Sequence, residues 1–436
     1  MTWQVAFVVY GALLAVAVLL GVPIVAAMSL VGIVGITLLH GTLLWPSLGD
    51  IVWNTLNSFT LTAVPLFVLM GEIILRSGAS SRFYQGVSVL LNRLPGNLAQ
   101  ANIMACALFS AVSGSSTATA LTIGTVALPE MRKRGYSDSL TLGTLTGGGA
   151  LGNLIPPSIF LLVYAAIVQA SVIDLFIATI VPGIIAVAMF MTYVAWRAIR
   201  DPSLVPAQAP RHSAREVAIA TWQCLPITLL IVAIVGGMYF GVVTPTEAAG
   251  FGCVVALLLG AFYRELTWAS LEKALVTGVV VSSVVMLIII AGQILSFAVV
   301  QAGIGRAMAR ELVALELSPF TFFTALFVLY LLLGTFLDGI SMMLLTVPIL
   351  YPALRAMGFS DVWFGVILVI QAELAQLSPP VGLNLFAVQS IARDVSLTTI
   401  AWASLPYAVM LSILSFLLYF YPDLALSLVA SMKDRA

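Results

Sequence analysis

Charged residues are scarce in this sequence, because Asp, Glu, Lys and Arg together make up only 8% of its 436 residues. Soluble domains carry about 25% charged residues, and a water-exposed surface cannot be covered with so few. A soluble enzyme or binding module is therefore excluded. The 18 basic and 18 acidic residues cancel to a net charge of zero, so the sequence also lacks the basic surface that a nucleic-acid partner requires.

Cysteine and histidine are equally rare. The three cysteines, Cys106, Cys224 and Cys253, lie in apolar surroundings without CxxC spacing, and the two histidines are far apart in the sequence. This arrangement favours small core residues over a disulfide framework or a transition-metal site. The first Lys or Arg is Arg76. An N-terminus without a basic region is not expected to be a cleaved signal peptide.

Apolar residues, in contrast, make up 61% of the chain. Stretches close to the roughly 20 residues that a spanning helix needs recur from end to end, which predicts an all-α polytopic membrane protein. Uninterrupted spans are predicted at residues 4–20, 23–39, 59–76, 175–196, 225–243, 247–262, 276–300 and 397–421. Amphipathic segments at 80–95, 265–275 and 305–316 favour helical arms in the membrane interface.

Two further apolar stretches, residues 98–128 and 319–352, have polar and small residues at their centres. The first contains SGSST at 113–117, and the second contains GTFLDG at 334–339. A lipid-facing helix does not tolerate such a centre, whereas a hairpin tolerates it when its tip is buried in protein. We therefore predict two re-entrant helical hairpins.

Residues 139–173 and 361–393 are each interrupted by a pair of prolines, which begins at Pro156 in the first stretch and at Pro379 in the second. Proline lacks an N–H and restricts the residue before it, so each stretch predicts a broken helix. Carbonyls freed at such a break coordinate cations, and the positive N-terminus of a half-helix favours a carboxylate. The alternative is a structural kink.

The two halves of the chain repeat each other around a polar linker at residues 198–217. A shift of 223 residues places the Gly-x-Ser-Asp motif that begins at Gly135 on the one at Gly358, and places the first proline pair on the second. Duplicated halves with matching interruptions are the sequence signature of a secondary transporter. We predict the repeats at residues 1–197 and 218–436.

The distribution of basic residues predicts the orientation of the repeats. Residues 132–134 (RKR) and the basic linker should both be cytoplasmic. When the membrane crossings are counted in both directions from these loops, the second half begins on the side of the membrane opposite to the side where the first half begins. We therefore expect an inverted repeat, in which the first hairpin opens to the cytoplasm and the second to the outside.

The hydroxyl-rich first tip, residues 113–119, is the strongest candidate site. Hydroxyl and carbonyl oxygens suit a small alkali cation or the hydrogen bonds of an anion, although such hydroxyls also bond back to their own helix. Ionisable groups at membrane depth are functional candidates. Asp338 either assists cation binding or caps a half-helix, and Glu373 either joins the site or faces a helix partner.

Several motifs, in order along nearly the whole chain, resemble a known family. They lie at residues 65–72 (PLFVLMGE), 113–116 (SGSS), 154–158 (LIPPS), 244–249 (TPTEAA) and 379–384 (PPVGLN). Together they are similar to the large membrane subunit of tripartite ATP-independent periplasmic (TRAP) transporters, the DctM-like family. The Thr-Pro-Pro that is common in this family is Ser378-Pro379-Pro380 here, which keeps the hydroxyl.

This resemblance implies an elevator-type ion transporter fold, in which hairpins and broken helices form a transport domain and the outer helices and arms form a scaffold. It also implies sodium-coupled uptake of an organic acid, such as a C4-dicarboxylate or sialic acid, across the bacterial inner membrane. The implied partners are a small four-helix membrane subunit, expected as a separate chain, and a periplasmic substrate-binding protein. Sodium would be the coupling ion, and neither a further cofactor nor an enzymatic activity is expected.

Each residue at the tips and breaks then has an expected role. One sodium ion is expected at the first tip and break, at Ser113, Gly114, Gly152, Asn153 and Pro156. Another is expected at the second tip and break, at Gly334, Asp338, Gly339, Ser378, Pro379 and Gly382. The organic anion is expected between Ser115, Ser116, Thr117 and Asn384. No Arg or Lys lies at either break, so helix ends, hydroxyls and bound sodium must meet its charge.

Three other interpretations compete with this one. A divalent-anion/sodium symporter that works without a binding protein would carry the same polar breaks. An intramembrane aspartyl protease needs two facing aspartates, and Asp338 has no obvious aspartate mate in an apolar segment. A purely structural membrane scaffold would leave the matched polar breaks unexplained.

Overall fold

The computed structural model describes residues 2–206, 212–380 and 382–433, and this part of the chain is built from α-helices and one 3₁₀ turn, without strands. Seven of the helices are long and apolar enough to cross a membrane, which confirms an all-α polytopic membrane protein. Two predicted features lie partly outside the described residues. They are the middle of the linker, at 207–211, and Val381 in the second break.

The first half of the chain begins with four helices and a short arm. These are α1 Trp3–Leu19, α2 Ile24–His40, α3 Trp45–Leu56, α4 Phe59–Arg76 and the arm α5 Ala79–Leu90. A hairpin, two half-helices and one long helix follow. These are α6 Leu98–Ser113, α7 Ser116–Lys133, α8 Asp138–Gly149, α9 Ile159–Val168 and α10 Val172–Arg200. The 3₁₀ turn Pro202–Leu204 begins the linker.

The second half follows the same order, with one helix fewer before the arm and one helix more at the end. Its outer helices and arm are α11 Ala214–Tyr239, α12 Pro245–Tyr263, α13 Trp268–Gln301 and α14 Ile304–Ala314. The second hairpin and the second pair of half-helices are α15 Pro319–Gly334, α16 Gly339–Ala356, α17 Asp361–Gln376 and α18 Leu383–Ile391. Two final helices are α19 Leu397–Phe420 and α20 Asp423–Lys433. Both predicted hairpins and both predicted broken helices are therefore present.

Serine side chains mark the beginnings of the helices that surround the breaks. Ser115, Ser137, Ser158 and Ser171 each precede a helix and accept a hydrogen bond from the backbone N–H of its third residue. Such caps satisfy donors that a helix leaves free in its first turn. Because no water replaces these donors inside a bilayer, the caps are what allow the chain to restart a helix at membrane depth.

One predicted arm was wrong. Residues 265–275 were expected to form a separate amphipathic arm, but α13 begins at Trp268 and continues without interruption to Gln301. Thr267 caps its first turn, and no proline follows to end the helix before the apolar segment. The segment therefore forms the first turns of α13, and the separate arms are α5 and α14.

The two halves interlock through these arms. The arm α5 packs against α11, the first helix of the other half, and α14 packs against α1. The contact of α5 with α11 is close, because a Cβ atom on Gly86 would lie 2.7 Å from the carbonyl oxygen of Ala220. Helices α11, α12 and α13 expose many large apolar side chains, such as Trp222, Leu258 and Val279, as a lipid-facing surface requires.

The base of the first hairpin lies beside the linker and the end of α18. The backbone N–H of Ser137 donates to the carbonyl oxygen of Leu204 (3.2 Å). The Arg132 guanidinium bonds Asp138 (3.0 Å) and Asp394 (3.0 Å). Through these hydrogen bonds Arg132 holds the pKa of Asp394, in the loop before α19, below its usual value. The hairpin base, the linker and the loop before α19 therefore share one face of the molecule.

The base of the second hairpin lies at the opposite face. The hydroxyl of Tyr164, in the middle of α9, donates to the carbonyl oxygen of Asp361 (2.8 Å). The indole N–H of Trp363 donates to the carbonyl oxygen of Leu418 (2.9 Å), near the end of α19. Because α8 and α9 run from the first face to this one, the two hairpins enter from opposite faces. The repeat is inverted, as predicted.

We expect the first face to be cytoplasmic and the second to be external. Lys133 and Ala356 are exposed and equivalent under the shift of 223 residues, and Lys133→Cys leaves Arg132 and Arg134 in place. In spheroplasts treated with a membrane-impermeant maleimide, A356C should be labelled directly and K133C only after lysis. The unaltered chain is the control, because its three cysteines are buried. Labelling of both variants from one side would contradict the inverted topology, and the reverse pattern would contradict only the orientation.

Candidate functional site

The first hairpin tip and the first break touch through their backbones. Gly114 ends α6 in the left-handed region (φ +58°), and a Cβ atom there would lie 3.2 Å from the carbonyl oxygen of Pro157. A Cβ atom on Gly152 would lie only 2.2 Å from the Cα of Ser116. Only glycine permits this conformation and this approach, so the two glycines bring the tip onto the break.

This junction is rich in unpaired carbonyl oxygens. The carbonyls of Ser113 and Gly114 in the tip, and of Gly152, Asn153 and Pro156 in the break, accept no hydrogen bond from other described residues. Over residues 2–206, 212–380 and 382–433, no group of three His, Cys, Asp or Glu side chains is placed to hold a metal ion. Backbone carbonyls and hydroxyls fit an alkali cation, whereas transition metals prefer nitrogen and sulfur ligands.

A buried carboxyl group links this junction to the other half of the chain. Glu373, in α17, is fully buried. Its Oε1 accepts hydrogen bonds from the Ser116 hydroxyl (2.5 Å) and from the backbone N–H of Asn153 (3.0 Å). The Asn153 side-chain amide donates to the same Ser116 oxygen (2.9 Å), and Gln376 Nε2 lies 3.5 Å from Glu373 Oε2. Tip, break and second repeat thus meet in one network.

Glu373 is the residue that the predicted site omits. Its sequence signal is an acid in an apolar helix, five residues before Ser378 and the second proline pair. That signal suits a helix-packing role equally well, because periodicity does not show which neighbour a buried acid meets. In the structure the hydrogen-bond partners of Glu373 are Ser116 and Asn153, both expected site residues, and Gln376 of its own helix.

The other hydroxyls of the first tip have different partners. The Ser113 hydroxyl lies 2.7 Å from that of Thr119, and the Ser115 hydroxyl caps α7 by accepting from the N–H of Ala118 (3.4 Å). The half-buried Thr117 hydroxyl has no hydrogen-bond partner among the described residues. The tip therefore combines local capping with one free hydroxyl.

At the second tip, the carboxylate of Asp338 is used by its own helix. It accepts hydrogen bonds from the backbone N–H groups of Ile340 and Ser341 (3.1 Å each) and from the Ser341 hydroxyl. Of the two roles considered for Asp338, the structure therefore shows the helix cap. A carboxylate at this position also stabilises the positive end of α16.

The second tip meets α17 one turn before the second break. A Cβ atom on Gly334 would lie 2.0 Å from the Cβ of Ala375, and one on Gly339 would lie 2.9 Å from the Cβ of Ala372. The Ser378 hydroxyl, just beyond α17, donates to the carbonyl oxygen of Leu374 in the last turn of that helix (2.9 Å), and no hydrogen bond joins it to the tip among the described residues. The residues expected at the second sodium site are thus brought together less completely than those expected at the first.

Two more residues expected at the second sodium site, Pro379 and Gly382, lie within the break itself. Pro379 is exposed, and its peptide bond to Pro380 is cis, as is the bond between Pro156 and Pro157. A Cβ atom on Gly382 would lie 2.7 Å from the carbonyl oxygen of Gln376 and 2.9 Å from that of Ser378. Glycine at position 382 is therefore what allows the backbone to fold back on itself at this break.

Asn384 is the most unusual polar group of the site. It is fully buried, and neither its carboxamide oxygen nor its nitrogen has a hydrogen-bond partner among the described residues. Buried carboxamides are nearly always paired in native proteins. An unpaired one near the beginning of a half-helix is therefore suited to binding a ligand.

The packing of α18 along α7 places Asn384 close to the first tip. Gly124 meets Ile391, because a Cβ atom on the glycine would lie 2.4 Å from the isoleucine Cδ1. Each lies eight residues after the first residue of its helix (124 − 116 and 391 − 383). Arg132 and Asp394 pair farther along in the same direction. The two helices therefore run parallel, and their N-termini, with Thr117 and Asn384, lie at about the same level.

Comparison with known proteins agrees with this architecture. Residues 12–424 match the family described as "Tripartite ATP-independent periplasmic transporter, DctM component". The C4-dicarboxylate TRAP transporter large permease protein DctM of Pseudomonas aeruginosa is 32% identical, with 88% of this chain and 89% of that protein covered. The sialic acid TRAP transporter large permease protein SiaM of Vibrio cholerae is 31% identical, with 86% and 87% covered.

A solved structure shows a related fold at much lower sequence identity. The MtrF efflux pump of Neisseria gonorrhoeae has a TM-score of 0.58 at 14% identity, with 87% of this chain and 84% of that chain covered. This likeness concerns the membrane transporter fold, whereas the sequence matches concern the family. With a family match over nearly its whole length, the chain belongs to the DctM components of the tripartite ATP-independent periplasmic transporters, the large permease subunits.

Proposed function

We propose that this permease imports an organic acid together with sodium ions. The observation that carries the proposal is the junction of the first tip and the first break, where unpaired carbonyls and hydroxyls lie level with the unpartnered carboxamide of Asn384. Oxygen ligands without a His or Cys cluster suit an alkali cation. The relatives named for C4-dicarboxylates and sialic acid support a carboxylate as the substrate.

The helix ends support the position of the anion. The helices α7 and α18 both begin near the same level, with Ser116 and Leu383 as their first residues. The N-terminus of a helix carries a partial positive charge and free N–H groups that bind anions. An organic anion between Ser115, Ser116, Thr117 and Asn384 would therefore interact with two positive helix ends, without needing an Arg or Lys.

Sodium is proposed at two places. The first ion would lie among the oxygens of Ser113, Gly114, Gly152, Asn153 and Pro156. The second would lie near Gly334, Gly339, Ser378, Pro379 and Gly382, where Asp338 contributes mainly by holding the N-terminus of α16 in place. The inverted repeat supports two related sites, because each half supplies one tip and one break.

The movement proposed for transport is that of an elevator. The hairpins and half-helices, α6–α9 and α15–α18, would carry the site across the membrane against a scaffold of α1–α5 and α11–α14. The scaffold assignment is supported by the mutual packing of the arms with the outer helices of the opposite half. The lipid-facing surfaces of α11, α12 and α13 would keep the scaffold stationary in the bilayer.

Two protein partners are proposed, a small four-helix membrane subunit and a periplasmic substrate-binding protein. The isethionate TRAP transporter permease protein DctMQ of Oleidesulfovibrio alaskensis supports the first partner. The match covers 86% of this chain but only 58% of that protein, which therefore has a further segment that this chain does not match. The family name itself describes a tripartite periplasmic system. Transport of free substrate by the purified permease alone would instead favour a stand-alone symporter.

We expect uptake to require sodium and to rise more steeply than in proportion to its concentration, because two sodium sites are proposed. The complete system should be reconstituted in proteoliposomes and supplied with a labelled C4-dicarboxylate or sialic acid. Replacement of sodium by choline at constant ionic strength should abolish uptake. Uptake that persists unchanged in choline buffer would contradict sodium coupling for this permease.

A second test separates a site hydroxyl from a packing hydroxyl. Ser116→Ala removes one of the two hydrogen-bond donors to Glu373 Oε1 and leaves the Asn153 side-chain amide without its acceptor, at a cost of about 1–3 kcal/mol for an unsatisfied buried group. The sodium concentration for half-maximal uptake should therefore rise by roughly tenfold or more. Ser110→Ala is the matched control, because its buried hydroxyl only donates to the carbonyl oxygen of Cys106 in its own helix (2.6 Å).

Ser110→Ala should keep the sodium dependence of the unaltered protein. Ser116 is a cleaner choice than Ser115, whose hydroxyl also caps α7. If Ser116→Ala inserts in the membrane and transports with an unchanged sodium requirement, the first tip is a packing feature and the proposed site is wrong.

A further inference from the structure

A groove of about 530 Å³ separates the first helix of the chain from the second hairpin. One wall is a face of α1 that includes Phe7, Gly11 and Val18, and the other is formed by α15 and α16, with Leu333 and Ile349. The arm α14 packs against both α1 and α16 and so bridges the two walls. The groove therefore lies between a helix of the proposed scaffold and a hairpin of the proposed transport domain.

The surface of this groove offers almost nothing to a polar ligand. Of the described residues that line it, only Tyr10 and Thr346 have a polar side chain, and none is charged. The Thr346 hydroxyl is already bonded to the Tyr330 hydroxyl (2.8 Å) and to the carbonyl oxygen of Met342 (2.8 Å). The Tyr10 hydroxyl lies against Gly35 of α2, without a hydrogen-bond partner among the described residues. The groove therefore suits neither an ion nor water, because apolar cavities stay dry.

The groove is continuous with the lipid-facing surface of the protein. Leu19 at one end of it is 86% exposed, and Phe336 in the second tip is 67% exposed. The solvent around such side chains in a membrane is the hydrocarbon of the lipids. An unfilled groove would leave its lining without dispersion contacts on one side. The hydrocarbon that surrounds the groove can supply these contacts.

The length of the groove fits a lipid chain better than a helix. The residues of α1 that line it extend from Phe7 to Val18, which is 11 positions (18 − 7) and about 16 Å along a helix. This is close to half of the roughly 30 Å hydrocarbon core, the share of one leaflet, whereas a spanning helix needs the whole thickness. A helix from another protein would also tie together two walls that the proposed elevator moves apart.

We propose that this groove is a lipid site, which holds an acyl chain of a membrane phospholipid between α1 and the second hairpin. The site goes beyond the proposed function, and only its consequence for the movement rests on that function. The second tip contributes Phe336 and Leu337 to the groove. A hairpin that moves along α1 must therefore expel or admit the chain, so the lipid takes part in each transport cycle.

Gly11→Trp tests the site by filling it with protein. Gly11 is exposed, and a Cβ atom there meets no other atom within 4 Å, so a larger side chain can extend into the groove. Gly236→Trp is the matched control. A Cβ atom on Gly236 likewise meets no atom within 4 Å, and its helix, α11, contributes no described residue to the groove.

The permease should be purified in a mild detergent, and the phospholipid that it retains should be measured by native mass spectrometry. We expect the unaltered permease and G236W to retain a phospholipid, and G11W to lose it. Phosphatidylethanolamine with oleoyl chains should then be added back to stripped protein while thermal unfolding is followed. A ligand that binds the folded state raises the unfolding temperature, and G11W should need about tenfold more lipid for the same rise.

Equal retention of phospholipid by G11W and the unaltered permease would overturn the proposal, and so would an equal loss in G11W and G236W. If G11W does not insert in the membrane, Ala15→Phe fills the same groove one turn farther along α1 and should cause the same loss.

A second measurement distinguishes lipid from protein in the groove. Gly11→Cys should not cross-link to the small subunit or to a second permease through a bifunctional maleimide. A cross-link that forms from G11C but not from Gly236→Cys would show a protein interface and contradict the lipid site. These measurements need neither sodium nor substrate, so a failure of sodium-coupled uptake would leave their outcome unchanged.

Discussion

The rest of this structure depends on one constraint, the lack of water in the bilayer to satisfy a free backbone group. A helix that is interrupted at membrane depth must find partners for its ends within the protein. This inner-membrane protein interrupts its chain in four apolar segments and buries the interruptions against one another. The side chains of Ser115 and Ser158 accept hydrogen bonds from N–H groups in the first turns of α7 and α9. Carbonyl oxygens at the junction of the first tip and the first break remain free. The need for packing therefore produces a junction that is rich in free oxygen atoms.

The same constraint explains the residues at the junction. Glycine is required at Gly114 and Gly152, because any side chain there would separate the tip from the break. The helices α7 and α18 begin at about the same level, and the proposed anion site uses these two positive helix ends without a basic side chain. The carboxyl of Glu373 then joins both halves of the repeat, so the geometry of the first site depends on the second half of the chain.

Glu373 and Asp338 show how the tertiary structure sorts buried acids. Both lie in apolar segments, and both are functional candidates on sequence alone. Asp338 immediately precedes a helix and bonds to the N–H groups of that helix, which makes it a cap. Glu373 lies inside a helix, where backbone donors are already used, so its carboxyl must find partners on other elements. It finds them in the tip and break of the opposite repeat.

The sequence by itself determined the class of the protein, the positions of its spans and the four interruptions, because hydropathy, proline and glycine act on their immediate neighbours. It also determined the duplication, which survives as a common spacing of motifs. Only the tertiary structure decided that 265–275 continues into α13, that Asp338 is a cap, and that Ser116 bonds to Glu373. That last bond joins residues 257 positions apart, and such a contact depends on how whole helices pack, which no local pattern records.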